Sequence, residues 1–152
     1  MITIGYVDPN KFFEAYVGYT CHITRTDGGH IRLRATRPGV KGIEDLNEDE
    51  LMALGGAIRR LAKAMQTALT TNGVAIRRVN VQINNNWSDL YHTEPSFLVH
   101  FYGRAYGAKI QPLGQALCFP SPREHKEFYE GNEPINSNDV ELIRELLSSE
   151  QS

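Results

Sequence analysis

The chain has 152 residues, of which 41% are hydrophobic and 22% charged, values typical of one globular domain that buries its own core. Its formal net charge of −2 excludes a general attraction to nucleic acid or to an anionic membrane surface. Cys21 and Cys118 lack the paired spacing of a zinc site, so we expect both to be reduced core thiols of a cytoplasmic protein. We expect neither a membrane span nor a signal peptide, and a single domain covering residues 1–152.

The first predicted elements are two strands joined by a tight turn. Residues 19–25 favour a strand, and Thr26–Gly29 has the composition of a hairpin turn. After the turn, Ile31, Leu33 and Ala35 alternate with polar residues, as in a strand with one face on the core. His30 follows the two glycines directly, so we expect its side chain to be exposed.

A long helix is predicted next, over Glu48–Thr71. Asn47 and Glu50 have the spacing of a capping box, and Asn72-Gly73 supplies the stop. The apolar positions between them, at steps of three and four, are Leu51, Leu54, Ile58, Leu61, Met65 and Leu69. These positions form one stripe, which we expect to pack on a sheet.

The second half of the chain predicts two more strands and a terminal helix. A period of two runs through residues 79–83 and again through 97–102, with the polar loop 84–89 between them. Residues 111–136 are rich in proline, glycine and polar side chains and are expected to form a loop-rich excursion. A final helix is expected from Asn138 or Asp139 to Leu147. Strands that meet through hairpins, with helices on one face, indicate an antiparallel α+β domain.

Three segments in this order resemble the histidine triad (HIT) superfamily. The segment Gly29–Val40, followed by Ile43–Leu46, is similar to the family's Gly-His strand and the Pro-Lys-x-His-Val and Asp-Leu motifs. The helix from residue 47 to 71 comes next, and residues 79–85 with 97–104 resemble the strand, Asn loop and His-x-His-x-His module. The resemblance implies a sheet of about five antiparallel strands with one long and one C-terminal helix. It also implies a homodimer.

In this family the middle histidine of the triad attacks the α-phosphorus of a nucleotide, and its neighbours bind the phosphate. Aligning Gly103-Arg104 with the family's Pro-Arg makes His100 the third histidine. Leu98 then occupies the position of the nucleophile and Ser96 that of the first histidine, and a further family histidine falls on Gly39. Because leucine cannot form a phosphoramidate, this alignment implies degenerate or absent catalysis.

A second alignment makes His100 the nucleophile, with Leu98 first and Tyr102 third in the triad. It retains an attacking imidazole beside a phenol and Arg104, at the cost of moving Gly-Arg two residues out of step. Taken without the family, His100 is equally consistent with a hydrogen-bonded, half-buried histidine on a strand. Both alignments therefore stay open at the level of the sequence, and His100 is a possible catalytic residue in the second.

The remaining candidate residues surround this strand. The resemblance implies a nucleotide- or phosphate-binding set made up of Asn84, Asn85, Thr93, Ser96, Leu98, His100, Tyr102 and Arg104. None of the histidines has helical metal-ligand spacing, so we expect no metal and no cofactor. The expected ligand is a small nucleotide, with a purine mononucleotide suspected. An active HIT-type phosphohydrolase and a non-catalytic dimeric interaction module are the alternatives.

Overall fold

A five-stranded sheet with one long helix across it is the framework of the fold. The computed structural model describes residues 1–84 and 86–151. The strands are β1 (Ile2–Tyr6), β2 (Phe13–Val17), β3 (His30–Ala35), β4 (Ile76–Ile83) and β5 (Leu98–Ala105). The helices are α1 (Glu48–Thr71), α2 (Asn86–Leu90), α3 (Glu127–Glu130) and α4 (Ser137–Gln151). The predicted α+β class and the five antiparallel strands are confirmed. Among the described residues, no helix is long and apolar enough to cross a membrane.

The strand order is β1-β2-β3-β5-β4, and every neighbouring pair is antiparallel. Both β3 and β4 run antiparallel to β5, so they are parallel to each other and need a crossover connection. Helix α1 forms that crossover and covers one face of the sheet. The opposite face of β3 and β5 is left for polar side chains and for the loops that pack over them.

Helix α1 has the predicted bounds. Asn47 Oδ1 accepts from the Glu50 N–H and Glu50 Oε1 accepts from the Asn47 N–H, each at 2.9 Å, which closes the capping box. Leu54, Leu61, Met65 and Leu69 of the predicted stripe are buried in the core. The prediction that Leu51 belongs to this buried stripe is wrong, since its side chain is 46% exposed. In that turn Glu50 is buried instead, because its carboxylate also binds Arg37.

The predicted strand over residues 19–25 and its hairpin turn are wrong. Besides β5, the strand that pairs with β3 is β2, earlier in the chain, and a 3-10 turn covers Arg25–Asp27. Polar side chains of residues 19–27 form hydrogen bonds with other parts of the chain, and these contacts keep the segment from pairing as a strand. Arg25 binds Asp139 of α4 at 2.7 Å, and the Asp27 carboxylate accepts from the N–H groups of residues 109 and 110. The segment therefore crosses the end of the sheet as an ordered loop.

Several smaller predictions also need correction. The polar loop after β4 contains the short helix α2, and α4 begins at Ser137, one residue before the expected start. Cys21 is a buried free thiol as expected, whereas Cys118 is exposed because it lies in the excursion. Val81 and Ile83 are 37% and 39% exposed, since β4 is an edge strand that α1 covers only in part.

Candidate functional site

The sheet face opposite α1 carries a polar cluster on β3 and β5. Strand pairing places His30 opposite Tyr102 and Arg32 opposite His100, and Gln82 of β4 lies on the other side of His100. Cross-strand partners project their side chains to the same face of a sheet. Because the side chains alternate between the two faces as predicted, the titratable and charged groups of these strands form one continuous patch on this face.

This patch forms the floor of a cavity of about 450 Å³. The loops after β2, before β5 and within the excursion supply its walls. Its lining residues are His22, Arg32, Gln82, Asn84, Trp87, Ser88, Thr93, Glu94, Ser96, Leu98, His100, Tyr102, Leu117 and Phe119. The volume is within the range of small-molecule sites in proteins.

Six of the eight predicted site residues line this cavity: Asn84, Thr93, Ser96, Leu98, His100 and Tyr102. Asn85 lies outside the described residues. Leu98 and His100 are on the same face of β5, so in both alignments the residue at the nucleophile position lines the cavity. Gly39, the position of the further family histidine, lies in a loop with φ of 82° and does not line the cavity.

Arg104 is the predicted site residue that the structure places elsewhere. Its guanidinium donates to Asn80 Oδ1 at 2.7 Å and to the carbonyl oxygens of Pro112 and Gln115 at 2.9 and 2.8 Å. These contacts tie the start of the excursion to β5 and β4. With its Nη atoms occupied in this way, Arg104 anchors the excursion and lies outside the cavity.

Three buried histidines and a tyrosine form a hydrogen-bonded chain beneath the cavity. The His22 backbone N–H donates to His30 Nδ1 at 3.1 Å, and His30 Nε2 lies 2.9 Å from His100 Nδ1. The Tyr102 hydroxyl lies 2.8 Å from His22 Nδ1. The prediction that His30 is exposed is wrong, because its side chain is fully buried between β5 and the loop before β3.

All three imidazoles are held neutral near pH 7. Burial, followed by the positive charge of Arg32, lowers the pKa of His22 to about 3 and that of His100 to about 4. The same two causes lower the pKa of His30 well below its ordinary value. The cluster therefore contributes hydrogen-bonding groups to the cavity, and its formal positive charge comes from the arginine.

Arg32 is the charged residue at the centre of the site. One Nη donates to the Thr20 carbonyl at 2.7 Å, while the other, Nη1, is buried without a hydrogen-bond partner in the described part of the chain. A Cβ on Gly18 would come within 2.1 Å of Nη1. Glycine at position 18 thus leaves the room that the guanidinium occupies.

The ring nitrogens of His22, His30 and His100 lie within 4.8 Å of one another, a spacing that invites comparison with a metal centre. The hydrogen bonds oppose that assignment. His30 Nδ1 accepts from a backbone N–H, so a neutral His30 carries its proton on Nε2 and has no lone pair left for a metal. The neighbouring Arg32 charge adds repulsion toward a cation. The arrangement suits an anion better.

Aromatic rings enclose the upper part of the cavity. Trp87 of α2 meets the His22 ring edge-on at 5.2 Å, and Phe119 of the excursion lies 4.9 Å from the Tyr102 ring. Both Trp87 and Phe119 line the cavity, so they pack on the histidine cluster and also present apolar surface to a ligand. The Trp87 indole thus packs on the His22 ring and also contributes to the wall of the cavity.

The sequence alone gave little indication of His22, His30 and Arg32 as site residues. His30 and Arg32 share the polar face of their strand, and the pairing of β3 with β5 would have placed them beside His100. That alternation was a usable signal. His22 offered none, because it lies in an irregular loop whose path is set by contacts with distant residues.

No protein-family model matches the sequence, and no curated protein sequence matches it. Solved structures do. A histidine triad protein from Bradyrhizobium japonicum superposes with a TM-score of 0.60 at 19% identity, covering 96% of this chain and 90% of that one. The chain has the histidine triad fold.

Two further HIT structures agree over nearly the whole chain. A zinc-bound histidine triad family protein from Mycobacterium smegmatis gives a TM-score of 0.59 at 15% identity, covering 98% of this chain and 86% of that one. A hypothetical histidine triad nucleotide-binding protein from Sulfolobus tokodaii gives 0.56 at 11% identity, with 98% and 83% covered. The HIT fold predicted from the three sequence segments is confirmed.

Proposed function

We propose that this HIT-fold chain binds the phosphate group of a nucleotide in the 450 Å³ cavity and has lost nucleotidyl transfer through histidine. The observation that carries the proposal is the buried Nη1 of Arg32, which has no hydrogen-bond partner among the described residues. A buried cationic donor without a partner is costly, and a bound oxyanion would satisfy it. The neutral His100 beside it offers a further polar group.

The rest of the cavity favours an organic phosphate over the free ion. Trp87 and Phe119 provide aromatic surface on which a base could stack, and Leu117 adds apolar area. A purine mononucleotide would use both the aromatic wall and the cationic floor. The Sulfolobus relative named as a nucleotide-binding protein agrees with this assignment.

The charges around the cavity favour one phosphate over several. Among its lining residues Arg32 is the one formal cation and Glu94 the one formal anion, since the lining histidines are held neutral. A polyphosphate chain carries several negative charges and would need more cations than this cavity supplies. A nucleoside monophosphate carries less negative charge than a di- or triphosphate and is therefore favoured.

The loss of chemistry is inferred from Leu98. In the alignment that places Gly103-Arg104 on the family motif, this leucine takes the position of the attacking histidine, and it lines the cavity. A leucine side chain has no lone pair with which to attack phosphorus. Ser96, in place of the first histidine, can contribute a hydroxyl to binding.

Calorimetric titration of the full chain with AMP, adenosine and inorganic phosphate tests the proposal. We expect AMP to bind, adenosine to bind at least tenfold more weakly, and Arg32→Gln to weaken AMP binding about tenfold or more, because a charge-assisted hydrogen bond is lost. Gly18→Ala should act in the same direction, since its methyl group displaces the guanidinium.

Arg34→Gln is the matched control, because Arg34 lies on the same strand face but is paired with Glu14. It should leave AMP affinity unchanged. Equal binding of AMP by wild type and Arg32→Gln, or no binding by wild type, would contradict the proposal. Incubation with an AMP amide, followed by intact-mass measurement, separates the alternative hydrolase: an adenylylated His100 would establish it.

We also infer that the chain forms a homodimer through the outer edge of β4. The two edges of the sheet differ. At β1, the Arg144 side chain donates to the carbonyl oxygens of Thr3 and Ile4, which blocks strand addition there. On β4, no described strand pairs with the outer edge, and Val81 and Ile83 are partly exposed beside it. An open edge strand with exposed apolar side chains on one face is a ready template for a second copy.

A further inference from the structure

The donors and acceptors in the histidine cluster can be assigned in order, starting from the backbone N–H of His22. A backbone N–H is always a donor, so the 3.1 Å contact from the His22 N–H requires a lone pair on His30 Nδ1. A neutral imidazole carries one proton, which in His30 must then be on Nε2. His30 is fully buried, and burial keeps it neutral.

The proton of His30 in turn determines the tautomer of His100. His30 Nε2 lies 2.9 Å from His100 Nδ1, and because His30 Nε2–H is the donor, His100 Nδ1 must be the acceptor. The single proton of a neutral His100 is then on its Nε2. No hydrogen bond in the described part of the chain engages this second nitrogen, and the His100 ring lines the cavity.

We propose that His30 is a positioning residue that fixes His100 as the Nε2–H tautomer, so that His100 donates to a bound oxyanion and cannot attack it. This deepens the proposed function and rests on it for the identity of the ligand. Attack on phosphorus would require the Nε2 lone pair to form the N–P bond as the leaving oxygen departs. In the assigned tautomer that nitrogen carries a proton and its lone pair is part of the aromatic ring.

This tautomer of His100 has the same consequence in both triad alignments. Even if His100 is placed at the nucleophile position, its free nitrogen is in the wrong protonation state for attack. The alternative hydrolase would need a His100 that donates from Nδ1, and the atom facing Nδ1 here is itself a donor. The structure thus assigns His100 to binding in either alignment, and His30 is the reason.

Imidazole NMR of the ligand-free protein, with 15N-labelled histidine at pH 7, tests the tautomer directly. We expect His100 and His30 both to carry their protons on Nε2. His30→Gln and His30→Glu form a matched pair of nearly equal shape. The glutamine amide can still donate to His100 Nδ1 and its oxygen can still accept from His22, so the His100 tautomer should be retained. A glutamate can only accept, so His100 should become protonated on Nδ1.

The AMP affinity of the two variants supplies the functional readout. His30→Gln should bind within about threefold of wild type, and His30→Glu should bind about tenfold or more weakly, since a donor is lost and a carboxylate enters. His125→Leu, at a half-exposed site outside the cluster, should change neither measurement. A merely structural role for His30 would not reverse the tautomer.

A proton on Nδ1 of His100 in the wild-type protein would overturn the inference, as would tight binding of Zn²⁺ that is lost in both His30→Gln and His22→Gln. If His30→Glu fails to fold, the wild-type and His30→Gln spectra still decide the matter. Because the spectra are recorded without ligand, a failure of AMP binding would refute the proposed function and leave the tautomer assignment separately tested.

Discussion

Gly103 shows how a single residue can be fixed by backbone contact. Its Cα faces the loop before β3, and a Cβ built at this position would come within 2.0 Å of the Gly28 carbonyl oxygen. Gly28, in turn, has a φ of 139° and could not hold a side chain without meeting the Gly103 carbonyl. This close approach explains the glycine of the Gly-Arg pair, and Arg104 beside it has the separate task of anchoring the excursion.

We expect Gly103→Ala to lower the free energy of unfolding by about 3 kcal/mol, because the new methyl group would clash with a backbone carbonyl that cannot rotate away. Urea unfolding followed by circular dichroism measures the change. Gly107→Ala is the matched control, since a Cβ there meets nothing within 4 Å, and it should change stability by less than about 0.5 kcal/mol. Equal effects of the two substitutions would contradict the close-packing explanation.

Among single residues, the cavity-lining side chains of β5 were predicted from the sequence, but the burial of the neighbouring His30 was not. His30 was expected to be exposed because two glycines precede it, and glycine pairs commonly mark surface turns. Here the glycines serve the opposite purpose, since they let the backbone pass close to β5 and bring His30 beneath the cavity. Local composition cannot distinguish a turn that faces solvent from one that packs against another strand.

At the scale of elements, the two sheet edges make opposite predictions about association. Strand β1 has a register shift between Thr3 and Gly5 and carbonyls bound by Arg144, whereas β4 is eight residues long and regular over its second half. Edge strands that are short, bulged or capped by side chains resist pairing, and long open ones invite it. Association is therefore expected at β4.

Val81→Lys should convert a dimer into a monomer at micromolar concentration, because a lysine at the open edge would lie against its own copy across the interface. Sedimentation velocity measures the change. Ile2→Lys is the matched control, since Ile2 is 38% exposed and Val81 is 37% exposed, but Ile2 lies on the blocked edge. A wild-type monomer, or dissociation by Ile2→Lys alone, would refute the assignment.

The two long helices, α1 and α4, were predicted more accurately than the strands, and the reason is physical. Helix α1 is specified by its caps and its apolar period, which are local features. A strand is defined by its pairing with residues elsewhere in the chain, which local patterns do not reveal. The segment 19–25 was therefore predicted as the partner of β3, a position that β2 occupies. Tertiary contacts of Arg25 and Asp27 decided that segment's conformation.

At the scale of the whole molecule, the buried histidines couple stability to pH. The unfolded chain binds protons to these imidazoles near pH 6.5, whereas the folded state holds His22 and His100 neutral to about pH 3 and 4. Between those limits the unfolded state carries more protons. Stability contributed by the neutral cluster is therefore fully present above pH 6.5 and is lost as the pH falls below it.

We expect the free energy of unfolding to fall by about 2 kcal/mol per buried histidine between pH 7 and pH 5, a window chosen to lie above most carboxylate titrations. Urea unfolding at several pH values measures the slope. Arg32 and Tyr102 face the cluster from β3 and β5, and His22→Gln, which removes one imidazole, should reduce the slope. A stability that is constant from pH 7 to pH 5 would contradict the neutral cluster.

Patterns within the sequence were enough to predict the α+β class, the bounds of helix α1, and the alternation that directs Leu98, His100 and Tyr102 to one face. These are consequences of local periodicity and capping, which need no knowledge of the rest of the chain. The folded chain was needed to show that His30 and Arg32 lie beside His100, that His22 reaches them from a loop, and that Arg104 lies outside the cavity. Those relations depend on strand order and on contacts between residues far apart in sequence, and the protonation of His100 depends on them in turn.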